Sequence, residues 1–175
     1  MRLKRDARIL KEKAIASLIG ATAAFNSPHD RGRPTQVLLQ LQHAFEMLLK
    51  AALVQFGVKV FDRRSGRSKG FEACVRLAES TDQVGLTAED AGTLRAIDAL
   101  RDDEQHWYNE VSEQLLYLHA RAAITGSSDF RWGSRLESSG DEEHAEAVVG
   151  QVAVAAGHVY HAGHEEAQHG ISSRR

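Results

Sequence analysis

The sequence predicts an all-α domain, a bundle of about five helices with a further helical segment at the C-terminus. Three observations carry that prediction. Apolar residues recur at steps of three and four over long stretches. Ala, Leu, Glu, Arg and Gln abound, prolines number only 2, and β-branched runs are scarce. Hydrophobic residues make up 42% of the 175, enough for a core and too many for a disordered chain.

Taken in order, Leu3, Ala7, Leu10, Ala14, Leu18, Ala21 and Phe25 form the stripe of a first helix over roughly 3–25. Basic residues ahead of "AIASLIGATAAF" (14–25) lend it a faint likeness to a signal peptide, but Asp6 and Glu12 stand in the would-be basic region. No apolar run is long enough to span a bilayer, so no membrane partner is expected. "NSPHDRGRP" (26–34) is a loop. Thr35 is the expected cap of a second helix, roughly 36–56, which turns Leu38, Leu41, Phe45, Leu48, Ala52 and Phe56 inward and ends at Gly57. "VKVFDRRSGRSKG" (58–70) places a basic turn between β-prone pieces, a small hairpin between helices two and three. A third helix covers about 71–80.

"LTAED" (86–90) starts a fourth helix. Thr87 caps it, Asp90 holds the capping-box position and Leu86 staples onto Ala91, while Leu94, Ile97 and Leu100 face inward. "DDEQ" (102–105) carries a second start signal, with Asp102 as cap and Gln105 reaching back. A fifth helix from there to about 124 carries Val111, Leu115, Leu118 and Ala122. Residues 125–140 are linker-like, and 141–168 form a weaker last helix with three internal glycines. The expected division is a helical domain over 1–130, followed over 131–175 by a linker and C-terminal helix or tail of unassigned role.

Charge is uneven. Residues 1–76 hold 15 Lys+Arg against 6 Asp+Glu, and residues 77–175 hold 7 against 18, for a net charge of −2. A basic half suits an anionic partner such as nucleic acid. The alternative is that the halves attract each other, within or between subunits. The single cysteine, Cys74, has no intrachain disulfide partner, which points to a reducing cytoplasm.

The chemistry-bearing stretch is "LRDDEQHWYNEV" (100–111), with Arg101 and His106 five positions apart. On an unbroken helix that offset turns two side chains about 140° apart. A helix break just after Arg101 would instead bring both to a helix N-terminus. There the partial positive charge and free N–H groups favour a phosphate and disfavour imidazolium. A histidine so placed can move a proton to or from a ribose oxygen, and an arginine can hold the phosphate, with no metal and no cofactor. The plainer reading is an arginine paired with neighbouring acids and a histidine on a helix surface.

Other residues carry double readings as well. Glu46 and Lys50 form an i,i+4 pair of the kind that stabilises any exposed helix. His43 is a polar-face histidine by default. Arg63, Arg64, Arg67 and Lys69 make a compact basic turn, either a grip on an RNA backbone or a solvated loop. Trp107 and Tyr108 either stack an unpaired base or fill a core or dimer contact. His158, His161 and His164 recur every third residue and drift round a helix, so a single metal ion cannot readily take all three.

"LQHAFEMLLKAAL" (41–53), followed by "LRDDEQHW" (100–107) and "VSEQLLYLHARAA" (111–123), resembles the HEPN superfamily of higher eukaryote and prokaryote nucleotide-binding domains. The shared features are a Glu-x3-Lys-Ala helix, a basic turn, an Arg-Asp-x3-His motif and a Leu-Tyr-containing later helix, over roughly residues 7–130. The resemblance implies a dimeric helical bundle acting as a metal-independent endoribonuclease in toxin–antitoxin or phage-defence systems. It further implies Arg101 and His106 as the catalytic pair, Asp102 as the motif's polar residue and Glu46 as their acidic support. Lys50, the basic turn, Trp107 and Tyr108 would touch RNA. An antitoxin or other defence protein is the implied partner beside RNA and a second copy. Asp103 and Glu104 make the motif acidic, which keeps open a catalytically inactive module that binds RNA, nucleotide or protein.

Overall fold

The computed structural model describes residues 3–27, 32–62, 64–106 and 118, with the side chain of His106 left aside. Its elements are α1 (Arg5–Phe25), α2 (Arg33–Gln55), a two-stranded hairpin of β1 (Phe61–Asp62) and β2 (Arg67–Ser68), α3 (Phe71–Glu79) and α4 (Ala88–His106). The largely helical character and the small hairpin match the expectation. The fifth helix beyond residue 106, the linker, the last helix and its histidines lie outside the described residues.

α2 is the central helix. Val37, Leu38, Leu41, Ala44, Phe45, Leu49, Ala52 and Leu53 are all buried, so it is apolar well beyond one stripe. α1 packs along it, with Leu10 and Ala14 against Met47 and Ala51. The pairing is antiparallel, because the Lys4 backbone N–H donates to Gln55 Oε1 at 2.8 Å and Lys4 Nζ to the Val54 carbonyl at 3.1 Å. Ala7, Ala14 and Ala21 recur on the contact face of α1, where small side chains let the two backbones approach. α3 and the first half of α4 close the core with Phe71, Cys74, Val75, Ala91, Leu94 and Ile97.

Length and hydropathy also qualify α2 as a membrane-crossing helix, contrary to the expectation that no run is long enough. Its burial beneath α1, α3 and α4 accounts for that hydropathy.

The ends of α2 differ in what they use. The N-cap is Gly32 in the left-handed region (φ 76°), with Pro34 in the first turn, so Thr35 is not the cap. Thr35 lies inside the first turn and donates its hydroxyl to Glu104 Oε1 at 2.6 Å, tying α2 to α4. The C-terminus closes as expected. Gly57 adopts φ 86°, its N–H donates to the Val54 carbonyl at 3.0 Å, and the Val58 N–H donates to the Leu53 carbonyl at 2.8 Å. That pair of bonds satisfies the last carbonyls in the Schellman manner.

The hairpin pairs Phe61 with Ser68 and Asp62 with Arg67. Its turn is held by the Asp62 carboxylate, which accepts from the Arg64 N–H at 2.9 Å and the Ser65 hydroxyl at 2.8 Å. The Arg64 bond first, then Ser65, holds the Asp62 carboxyl below its ordinary range.

The start of α4 follows the capping-box expectation. The Asp90 N–H donates to Thr87 Oγ1 at 3.1 Å, and the Thr87 hydroxyl and N–H donate to Asp90 Oδ2 at 2.6 and 3.4 Å. The second start does not occur. α4 runs without interruption through Asp102 to His106. Leu94, Ile97 and Leu100 keep packing on the core at helical spacing, so nothing ends the helix at Arg101.

Candidate functional site

Helical spacing sets Gln42, Glu46 and Lys50 of α2 on one face, four residues apart. In a pure core helix that face would be apolar, yet Gln42 and Lys50 are buried. A buried polar group is costly unless it is hydrogen-bonded, and here each one is. Lys50 Nζ donates to the Glu46 carboxylate and to Ser68 Oγ at 2.9 Å. Gln42 Nε2 donates to Asp98 Oδ1 at 3.1 Å. Asp98 in turn lies 3.5 Å from Arg101 Nη2. Arg101 Nη1 reaches Asp102 Oδ1 at 2.8 Å and Gln105 Oε1 at 3.0 Å. The result is a polar seam between α2, α4 and the hairpin.

Asp98 is a half-buried carboxylate within it. Burial pushes its carboxyl above the ordinary range, opposed by the Gln42 hydrogen bond and the Arg101 charge and reinforced by Asp102 and Glu46. Arg101 Nε is buried with no acceptor, and so is Glu104 Oε2 with no donor. The guanidinium is therefore held by acids and by Gln105, with one donor unused. An incoming phosphate would compete with Asp98 and Asp102 for it.

Several expectations change on this geometry. Asp102 serves as a partner of Arg101 rather than a helix cap. Arg101 and residue 106 share one continuous helix, where five residues separate directions by about 140°. Within one chain the expected convergence is therefore absent. Glu46 is engaged by Lys50 rather than by Arg101, although its charge is felt at Asp98. Lys50 is only 2% exposed, which leaves it no surface for an RNA phosphate. Arg64, Arg67 and Lys69 are exposed, as a grip on a strand requires, and His43 lies on the exposed face of α2. Arg63, Trp107, Tyr108 and the His106 side chain lie outside the described residues.

Gln42, Asp98 and Ser68 are seam residues that sequence reasoning passed over. Gln42 and Asp98 had a signal: one stands four residues before Glu46, the other three before Arg101. Ser68 had none, because its approach to Lys50 depends on how the hairpin folds back.

Cys74 is buried, and burial pushes its thiol pKa up, away from a reactive thiolate. Among the described residues no group of three His, Cys, Asp or Glu side chains is placed to hold a metal ion. No protein family, curated protein or solved structure matches this chain.

Proposed function

We propose that the chain is a metal-independent endoribonuclease of the HEPN type, with its reacting pair completed between two copies. One observation supports it most. Arg101 stands in a half-buried polar seam that runs through Asp98 and Gln42 to the level of Glu46, the acid its motif resemblance associates with it. A small helical core filled with Leu, Val and Ala gains little stability from such a seam. Because α4 is unbroken, a shared phosphate takes the arginine of one copy and the histidine of the other. His106 then removes the proton from a ribose 2′-OH, and the 2′-oxygen attacks phosphorus to form a 2′,3′-cyclic phosphate. The P–O5′ bond breaks with the 5′-oxygen taking a proton from water, and His106 returns its proton to solvent. Arg101 stabilises charge on the non-bridging oxygens.

The test is cleavage of RNA in EDTA by wild type, Arg101→Ala and His106→Ala, and by the two variants mixed. The expected outcome is cleavage by wild type, a loss of at least about 100-fold in each variant, and partial recovery in the mixture. Equal cleavage by all samples removes the proposal.

A second reading has its own observation. Arg101 is already held by Asp98, Asp102 and Gln105, as a binding or dimerisation module without turnover would have it. That module predicts RNA retained intact by all samples. A toxin–antitoxin or phage-defence setting follows from the same resemblance and belongs to the proposal.

A further inference from the structure

Lys4, Arg8 and Lys11 fall within an arc of about 60° on α1, at 100° per residue. This arc flanks the buried face of Ala7, Leu10 and Ala14, whereas Lys13 points to the opposite flank. Lys4 is fixed beside the C-terminus of α2, with Nζ on the Val54 carbonyl and close to Gly57. Lys59 and the hairpin follow directly from that end, and Lys50 on α2 binds Ser68 of β2. The antiparallel packing of α1 thus carries its basic turns to the same end of the molecule as the basic hairpin. Arg8, Lys59, Arg64, Arg67 and Lys69 are exposed and Lys11 is half-buried. None of the six enters an ion pair among the described residues.

The acids at this end are engaged or set to one side. Asp62 accepts from the Arg64 N–H and the Ser65 hydroxyl, and Glu72 pairs with Arg76 and Arg95. Asp6 lies across α1 from the cation arc, and Glu12 borders the arc about 40° from Arg8. Asp98 faces Gln42 and Glu104 faces Thr35, so α4 runs antiparallel to α2 and its acidic last turns lie by the α2 N-terminus. Thr35 and Gln55 are 20 residues apart on α2, about 30 Å at 1.5 Å per residue. That is several Debye lengths at physiological salt, so the acidic end does not cancel the basic one. An aromatic side chain also stands among these cations. Phe61, opposite Ser68 in the hairpin, is 49% exposed although it is among the largest apolar side chains in the domain.

From this juxtaposition we infer a binding surface for single-stranded RNA, in which the α1 cations, Lys59 and the hairpin cations track the backbone and Phe61 stacks a base. Every base offers a π-face, and a backbone of regularly spaced phosphates suits cations set in a row. The inference rests on the RNA reading above only for the identity of the polymer. It does not require cleavage.

The experiment uses the full chain and a labelled 2′-O-methyl oligouridine of about 15 nucleotides, which cannot be cut through its 2′-oxygen. Fluorescence anisotropy is recorded across a salt series. Phe61→Ala weakens binding about fivefold or more with the salt slope unchanged, and Phe61→Trp restores it. Arg8→Gln with Lys11→Gln lowers the slope by about 1.4, two contacts at roughly 0.7 each. Lys13→Gln changes neither, and thermal melts show that each variant is folded. The surface is overturned if Phe61→Ala and the Arg8/Lys11 pair bind as wild type does. Equal affinity for a duplex, or capture by phosphatidylserine vesicles without affinity for RNA, overturns it as well. Binding of this probe, together with unmodified RNA left intact by every sample in the cleavage assay, would remove the nuclease proposal and leave this surface standing.

Discussion

The two halves of α4 carry nearly the same local signal and use it differently. Thr87-x-x-Asp90 opens the helix, whereas Asp102-x-x-Gln105 is passed through as helix interior. Upstream context decides between them. Ahead of Thr87 the chain has left α3, turned through Thr81 to Val84, and adopted φ 69° at Gly85. Ahead of Asp102 the stripe of Leu94, Ile97 and Leu100 is still packing on the core. A capping side chain satisfies free N–H groups, but it does not create an end where burial already continues the helix. The halves also differ in their neighbours. Arg95 in the first half grips Glu72 and Glu79 of α3 at 3.0 and 2.6 Å. The second half lays Asp98 against Gln42 of α2.

The sharpest way to break this contrast is a proline at position 103. If Asp102 capped a new helix, Asp103 would be its first residue, where proline is well tolerated. In the continuous helix the same proline removes an interior hydrogen bond and clashes with the carbonyl of Ala99. The expected cost for Asp103→Pro is about 3 kcal/mol or more, read from chemical denaturation. A variant as stable as wild type would restore the second helix start and, with it, convergence of Arg101 and His106 in one chain.

The same contrast marks what the sequence makes legible. α1, α2, α3, the hairpin and the start of α4 are all readable, because each rests on local information: a helical apolar stripe, Gly57 at a C-terminus, a basic turn between β-prone pieces. Arg101 stands out in the sequence, and its plainer reading, pairing with neighbouring acids, describes its contacts. The polar seam is not legible, since the meeting of Gln42 with Asp98 and of Lys50 with Ser68 depends on helix register across long separations. Lys50 shows the limit most clearly. Glu46 and Lys50 look like any exposed i,i+4 pair, and only tertiary packing reveals that the lysine is inside.

A smaller effect sharpens the comparison from both sides. Thr87→Ala removes a side chain that caps a real N-terminus, and it is expected to cost about 1 kcal/mol. Asp102→Ala removes an exposed carboxylate that caps nothing and only partners Arg101 at the surface. Its expected effect stays within about 0.5 kcal/mol. Thermal denaturation of the two variants side by side reads the difference, and equal losses would mean that both signals act as caps.

The smallest effect concerns pH, and it separates the halves by sign. In the first half, hydrogen bonds from Arg95 and then Arg76 hold the Glu72 carboxyl below its ordinary range. Its contribution is present above the unfolded-state pKa and is lost as pH falls through the lower folded value. In the second half, burial raises Asp98 against the pull of Gln42 and Arg101, with Asp102 and Glu46 adding to the rise. A raised carboxyl contributes fully below its unfolded-state pKa, and that contribution is lost as pH rises through the folded value. On lowering pH from neutral to about 4, wild type should therefore gain stability relative to Asp98→Asn and lose stability relative to Glu72→Gln. Arg95 is partly exposed, so the Glu72 arm should also shrink in high salt, whereas the Asp98 arm, set by burial, should persist. Two arms of the same sign would mean that Asp98 answers chiefly to Arg101, as a tightly paired carboxylate, rather than to its burial against α2.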